Sequence, residues 1–279
     1  MTDLEKILIW LTVFLYAFAF IWRLSSLVFE GKKRFQLIAD ALLWLGFIAE
    51  TAVILARWYA TGHLPTVGLY EDALAGTWLI ILITLMVAVR QQAFRNVGVF
   101  SILFTIIFLG VGISSNPSLK PLNAPLLSNW LLVHVLFSWI AYASYVVSLG
   151  MGITFIARNR INPDGMIAKM LDKFPDQAHL DDMMFKYVVL GFINHLLSLT
   201  SGSIWAKDLW GSYWSWDPVE VWSLVTWLLY GLIIHLKISL RWSAERLAYL
   251  CILGVVGTSI GWMGINLVVQ KSMHMFNVR

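Results

Sequence analysis

A single cysteine, Cys251, stands in the 279 residues. That excludes an intrachain disulfide, a CxxC redox pair and a Cys-rich metal site. Cys251 lies in an apolar run, where a free thiol behaves as a small hydrophobe. Charge is nearly as scarce: 13% of residues are charged and 59% are apolar. A soluble domain of this length needs far more polar surface to cover its core. No cleavable leader is evident either. The first apolar run, 7–29, lacks a short hydrophobic region followed by a small-residue cleavage site, so it is expected to persist as a first helix. The net charge of +4 does not point to nucleic acid, because the basic residues fall in short connections between apolar blocks. No sequence repeat or low-complexity stretch is present.

What remains is apolar sequence in blocks long enough to cross a bilayer, for which roughly 20 residues suffice. Eight such spans can be drawn, at about 7–29, 36–59, 71–89, 97–113, 129–157, 184–205, 221–240 and 247–270. The expected fold class is therefore all-α, a polytopic membrane bundle of about eight transmembrane helices forming one domain, 1–279. The longest polar connection, about 158–183, joins the fifth and sixth spans.

Basic residues set the expected orientation. Of the 20 Lys and Arg residues, only Lys6, Arg57, Lys120, Lys207, Lys271 and Arg279 fall at the termini and even-numbered loops. The rest flank the odd loops, which places those in the cytoplasm or stroma and both termini outside. Gly254, Gly257, Gly261 and Gly264 in the last span, two of them in a GxxxG spacing, predict close helix packing.

Three distant segments then converge on the outer face. His134 lies about five residues into the fifth span, roughly 7–8 Å below the surface at ~1.5 Å per residue. His274 lies just beyond the last span. Between them in sequence comes the sixth loop, about 206–220. Imidazole is the commonest metal ligand, and two from different helices can clamp a planar metal macrocycle from both sides. A lone interfacial His can equally be a hydrogen-bonded helix-end residue.

The sixth loop and its flank read Trp210-Gly211-Ser212-Tyr213-Trp214-Ser215-Trp216-Asp217-Pro218-Val219-Glu220-Val221-Trp222. Its second half predicts a helix start, with Asp217 as N-cap, Pro218 at the first helical position and Glu220 closing a capping box. Asp217 and Glu220 are therefore not read as catalytic acids. The aromatic half has no such role. An interfacial belt would scatter Trp singly at helix ends, whereas this concentration suits an apolar shelf on which a flat conjugated ligand stacks.

Two further histidines lie deep. His235 falls in the seventh span toward the cytoplasmic half, with Gly231 one turn earlier leaving room for a ring. His195 sits midway along the sixth. Ionisable residues within a membrane are functional candidates by default, but either can be a polar packing residue bonded to a neighbouring helix.

The stretch 210–222 resembles the tryptophan-rich WWD signature of the haem-handling protein superfamily. With the following Thr-Trp-Leu-Leu-Tyr-Gly-Leu-Ile-Ile-His-Leu, it is similar to the CcsA (ResC) family of cytochrome c assembly proteins in the system II pathway. Ser128-Asn129-Trp130-Leu131-Leu132-Val133-His134-Val135, Asn266-Leu267 with His274, and Gly62-His63-Leu64-Pro65 to Tyr70-Glu71 resemble the family's flanking segments. The resemblance runs from about residue 60 onward. Two positions depart from it: His195 has no family counterpart, and Gly68 stands where the family has Asn.

That resemblance implies a haem-handling subunit of a holocytochrome c synthase (haem lyase). His134 and His274 would be the axial ligands of haem b, and Trp210, Gly211, Tyr213, Trp214, Trp216 and Asp217 the platform around it. His235 would ligate haem within the membrane, with a second ligand from the partner membrane protein CcsB (ResB). The implied activity joins haem to the CxxCH thiols of apocytochrome c by two thioethers. Those thiols must be reduced, and since this chain has no cysteine pair, a thioredoxin-like thiol-reducing partner is implied too. The membrane would be a bacterial inner membrane or a thylakoid. Alternatives are a haem transporter without lyase activity, a cytochrome b-type quinol-oxidising subunit, and a structural anchor.

Overall fold

The structure is a computed structural model that describes residues 1–29, 33–115, 117, 126–161 and 165–264. All regular structure among these residues is helical, in the order α1 (Asp3–Val28), α2 (Lys33–Thr61), α3 (Leu69–Arg90), a 3-10 turn (Gln92–Asn96), α4 (Gly98–Ser114), α5 (Asn129–Arg160), α6 (Met166–Leu171), α7 (Gln177–Trp210), α8 (Pro218–Ile238), α9 (Ala244–Ser259) and a π-turn (Ile260–Gly264). Eight of the helical segments are long and apolar enough to cross a membrane. The protein is a multi-pass membrane protein.

Several helices reach beyond the apolar blocks because capping, not hydropathy, sets their ends. Thr2 and Glu5 form a capping box that starts α1 at Asp3. The Asp176 side chain accepts from the His179 N–H and starts α7 at Gln177, well before position 184. The first two turns of α7 are polar yet still bury Leu180. The connection drawn at 158–183 is thus largely helical: α5 runs to Arg160 and α6 lies within it. At Pro218 the expected capping box is present, with Asp217 and Glu220 in their reciprocal roles.

The helices form two cores that share α3 and α4. One joins α1 and α2 to α3 and α4 through Ile9, Tyr16, Leu43, Val53, Leu74 and Ile102. The other unites α3, α4, α5, α7, α8 and α9 around Tyr145, Met151, Val188, Tyr230 and Cys251. Close packing in the second core uses glycines of α9 and the π-turn. A Cβ at Gly254 would lie 2.8 Å from the Tyr230 hydroxyl, and one at Gly261 would lie 2.2 Å from the Trp222 ring. The small-residue stripe admits rings from α8 rather than pairing two backbones.

Polar groups tie each end of the bundle. At one end Arg57 reaches Glu71 at 2.8 Å, Glu5 at 3.5 Å and the Pro117 carbonyl at 2.9 Å. At the other, Asp40 lies between Arg23 and Arg95, and the Lys173 ammonium donates to the Ser26 and Leu27 carbonyls that end α1. Midway between them, buried Glu50 accepts from the Tyr16 hydroxyl at 2.6 Å and from Thr77 at 2.7 Å. A carboxyl removed from water needs such donors.

Candidate functional site

The site begins with the start of α5. Ser128 caps the helix by accepting from the Trp130 N–H at 3.2 Å, and His134 follows one turn later. Its Nδ1 lies 2.8 Å from the Ser198 carbonyl oxygen on α7. A carbonyl only accepts, so Nδ1 carries the proton, and in the neutral imidazole the lone pair resides on Nε2. The ring is held on three further sides. Trp205 lies parallel to it, 6.3 Å between centroids and 17° between planes. Gly202 leaves the space it fills, since a Cβ there would come within 2.6 Å of Nδ1. Behind it, Ser138 donates to the His134 carbonyl and sits 2.5 Å from the Ser198 hydroxyl.

This imidazole borders two adjoining cavities at one end of the bundle. The larger, about 420 Å³, opens between the loop before α3 and the starts of α5 and α8, with Trp139, Trp205 and Trp262 in its walls. Its size falls in the range of small-molecule and cofactor pockets. The smaller, about 90 Å³, continues beneath the connection between α7 and α8. His134, Ser138, Tyr142 and Trp205 line both.

The connection is a folded unit. Gly211 ends α7 in the left-handed region, φ 77°, and its N–H returns to the Lys207 carbonyl at 3.0 Å. The Lys207 ammonium donates to the Gly211 carbonyl and lies over the Tyr213 ring. Glu220 accepts from the Ser215 and Asp217 N–H groups at 2.8 and 3.2 Å, while Asp217 accepts from Val219 at 2.9 Å. The Trp222 indole then donates to the Gly257 carbonyl at 2.8 Å, fastening α8 to α9.

The six candidate platform residues are placed differently. Tyr213 and Trp214 line the smaller cavity. Trp210 packs on Trp205 at 5.5 Å, Gly211 makes the turn and Asp217 is buried as the cap. Trp216, with φ 60°, is 73% exposed and stands edge-on to Trp214. His274, like Asn266 and Leu267, lies outside the described residues.

The deep histidines do not form a pair. His195 is fully buried, with Nε2 3.0 Å from the Ser223 hydroxyl and its ring packed against Tyr142 and Tyr145. His235 is exposed in the last turn of α8, at the far end from the cavities, with Nδ1 3.2 Å from Ser239. The space over Gly231 is taken by Phe192, whose ring edge would lie 3.1 Å from a Cβ there. In the first turn of α3, buried Glu71 pairs with Arg57 and accepts from the Thr66 and Val67 N–H groups of the preceding loop, both at 3.0 Å. Glu71 therefore shapes the cavity wall from behind.

Asp72, Trp139 and Ser198 border or orient this site without having stood out in the sequence. Only Asp72 carried a signal, as an acid in the first turn of an apolar span.

A helical membrane bundle with a tryptophan-walled cavity beside an oriented imidazole is the class these features define. The chain belongs to the family described as cytochrome C assembly protein, whose sequence model matches residues 66–274. It is similar to the cytochrome c biogenesis protein CcsA of Guillardia theta, 27% identical over 269 residues and covering 90% of this chain and 89% of that one. It is also similar to CcsA of Prochlorococcus marinus (strain AS9601), 30% identical over 84% of this chain and 83% of that protein. Among solved structures, the cytochrome c haem lyase CcmF shares the fold, with a TM-score of 0.72 at 19% identity over 94% of this chain. The present chain spans 47% of that structure's length.

Proposed function

We propose that the protein receives haem b in the cavity beside His134 and presents it for thioether attachment to the CxxCH motif of apocytochrome c, as the haem-handling subunit of a system II synthase. The observation that carries this reading is the His134–Ser198 bond. Histidines that ligate metal donate their other ring N–H to a carbonyl or carboxylate, which fixes the tautomer, and here it directs the lone pair to Nε2 in a ring that borders both cavities. The walls suit a flat apolar macrocycle, with Trp139, Trp205, Trp262 and Trp214 around a largely apolar space.

In this reading haem is the substrate, and it supplies the vinyl groups to which thiols add. The protein's residues hold it in place: His134 as one axial ligand, His274 as the other, and Tyr213 and Trp214 as the near part of the platform. The remainder of the Trp-rich loop supports them, with Trp216 left outward for a partner or substrate. CcsB (ResB), apocytochrome c and a thioredoxin-like reductant complete the reaction. The cavity end faces the periplasm or lumen, following the asymmetry of basic loops.

Transport without ligation uses the same residues, and one observation favours a transport step. His235 is exposed at the opposite end of α8, where a ligand contributed by a second membrane protein can meet it. A quinol-oxidising cytochrome b arrangement is disfavoured, because His195 is hydrogen-bonded inside the core while His235 faces out.

The test is the visible spectrum of the purified protein, co-expressed with CcsB. Wild type is expected to show low-spin haem, His134→Gly to lose most of it, and added imidazole to restore part. Full haem in His134→Gly would remove the ligand assignment.

A further inference from the structure

Trp139 of α5 and Trp262 of the π-turn after α9 stand in the wall of the larger cavity. Both indole N–H groups end on one carboxylate. Trp139 Nε1 donates to Asp72 Oδ1 at 2.6 Å, and Trp262 Nε1 donates to Asp72 Oδ2. The Trp262 ring is enclosed on its other sides: a Cβ at Gly76, one turn after Asp72, would lie 2.4 Å from it, and Phe108 and Tyr142 pack at 4.1 and 4.9 Å.

An indole nitrogen donates and cannot accept. Two carboxylate oxygens therefore match two donors, whereas a protonated carboxyl would set an O–H against an indole N–H. Hydrogen bonds of this kind stabilise the charged form. No Lys or Arg lines either cavity among the described residues, and the two indole N–H groups are the donors that offset the burial of the Asp72 carboxylate.

We propose that Asp72 is a positioning residue of the haem cavity. Its carboxylate locks the Trp139 and Trp262 rings into the wall that the macrocycle meets, and it leaves a fixed negative charge at that wall. The identity of the ligand rests on the function proposed above; the clamp itself does not.

Asp72→Asn is the informative change, because an amide offers one acceptor oxygen and can hold only one of the two indoles. In wild type labelled with ¹⁵N-indole tryptophan, two N–H signals are expected to exchange slowly, and Asp72→Asn is expected to lose one of them. Haem retention, measured as haem per protein in the complex with CcsB, is expected to weaken at least about fivefold, the scale of one buried donor left unpaired. The midpoint potential of the remaining haem is expected to move positive, since a negative charge that favours ferric iron is gone. Adding Trp139→Phe or Trp262→Phe, whichever removes the orphaned N–H, is expected to restore haem retention but not the potential. A merely structural role would leave the potential unmoved.

Unchanged indole signals and haem in Asp72→Asn would overturn the proposal, as would loss of haem with an unshifted potential and no rescue. Should Asp72→Asn fail to accumulate in the membrane, Trp139→Phe and Trp262→Phe in the Asp72 background decide the clamp. Each must remove one slow signal and perturb the other, and independence of the two signals overturns it. Wild-type haem that is absent, or indifferent to His134→Gly, removes the haem reading, and the indole signals then judge the clamp alone.

Discussion

At the scale of single residues, the distinction that matters is between a side chain that faces the cavity and one that holds such a side chain in place. Asp217 belongs to the second kind. Its carboxylate is spent on the first turn of α8, and Glu220 returns to its N–H. Asp217→Ala is expected to cost about 1 kcal/mol through the lost cap, read as a lowered thermal midpoint in detergent, with haem still bound. Complete loss of haem at normal stability would give Asp217 a direct role. His195 is a buried packing residue bonded to Ser223. His195→Gln keeps a polar end for Ser223 and is expected to retain the low-spin haem spectrum, checked as haem per protein. A high-spin spectrum would make His195 a ligand.

The scale of helices and connections shows what the sequence could and could not say. Eight spans were legible because lipid selects long apolar runs. The start of α8 was legible because Asp217, Pro218 and Glu220 form a local code in consecutive residues. The extra turns of α7 were not, because Gln177 to Met183 are mostly polar and their helix depends on the Asp176 cap and on Leu180 reaching the core. His134 stood out by type and depth, yet its Ser198 anchor lies far along the chain and no local spacing announces it. The Trp-rich loop stood out by composition, but composition does not reveal that Trp139 and Trp262, scattered through other helices, wall the larger cavity. Close approach was equally hidden. Gly202 looks like any helical glycine until α5 lays His134 against it. Gly202→Ala is expected to push His134 off its Ser198 partner, at roughly 1–3 kcal/mol for an overpacked contact, and to reduce haem without removing the ligand. Measuring haem content beside that of His134→Gly checks it, and an unaltered spectrum would show that the imidazole tolerates displacement.

The loop before α3 acts at the same scale. Glu71 gathers Arg57 and two backbone N–H groups, and Thr66, Val67 and Gly68 then border the cavity. Removing one partner of a buried pair strands the other, typically at 3–5 kcal/mol. Glu71→Ala is accordingly expected to lower stability by about that amount, followed as thermal aggregation of the purified protein. A change below about 1 kcal/mol would mean that the remaining partners of Arg57, among them Glu5 and the Pro117 carbonyl, suffice.

For the whole molecule, the two ends differ in what they gather. One holds Arg57 with its two glutamates, the cavities and the Trp-rich loop. The other holds Arg23, Arg95, Arg158, Lys173 and Lys237, most of them bonded to helix-end carbonyls or to Asp40 and Asp181. Cations gathered at the C-terminal ends of helices fit the positive-inside asymmetry, which is the ground for proposing that the cavity end faces outside. The native cysteine makes this testable. Cys251 is fully buried, so a membrane-impermeant maleimide is expected to leave wild type unlabelled. Ser212 lies in the Trp-rich loop and exposed Leu240 follows α8 at the opposite end. Ser212→Cys is expected to react in intact cells, and Leu240→Cys only after the membrane is opened. The reverse pattern would put the cavity, and any haem it holds, on the cytoplasmic side, where an apocytochrome c translocated before haem attachment could not reach it.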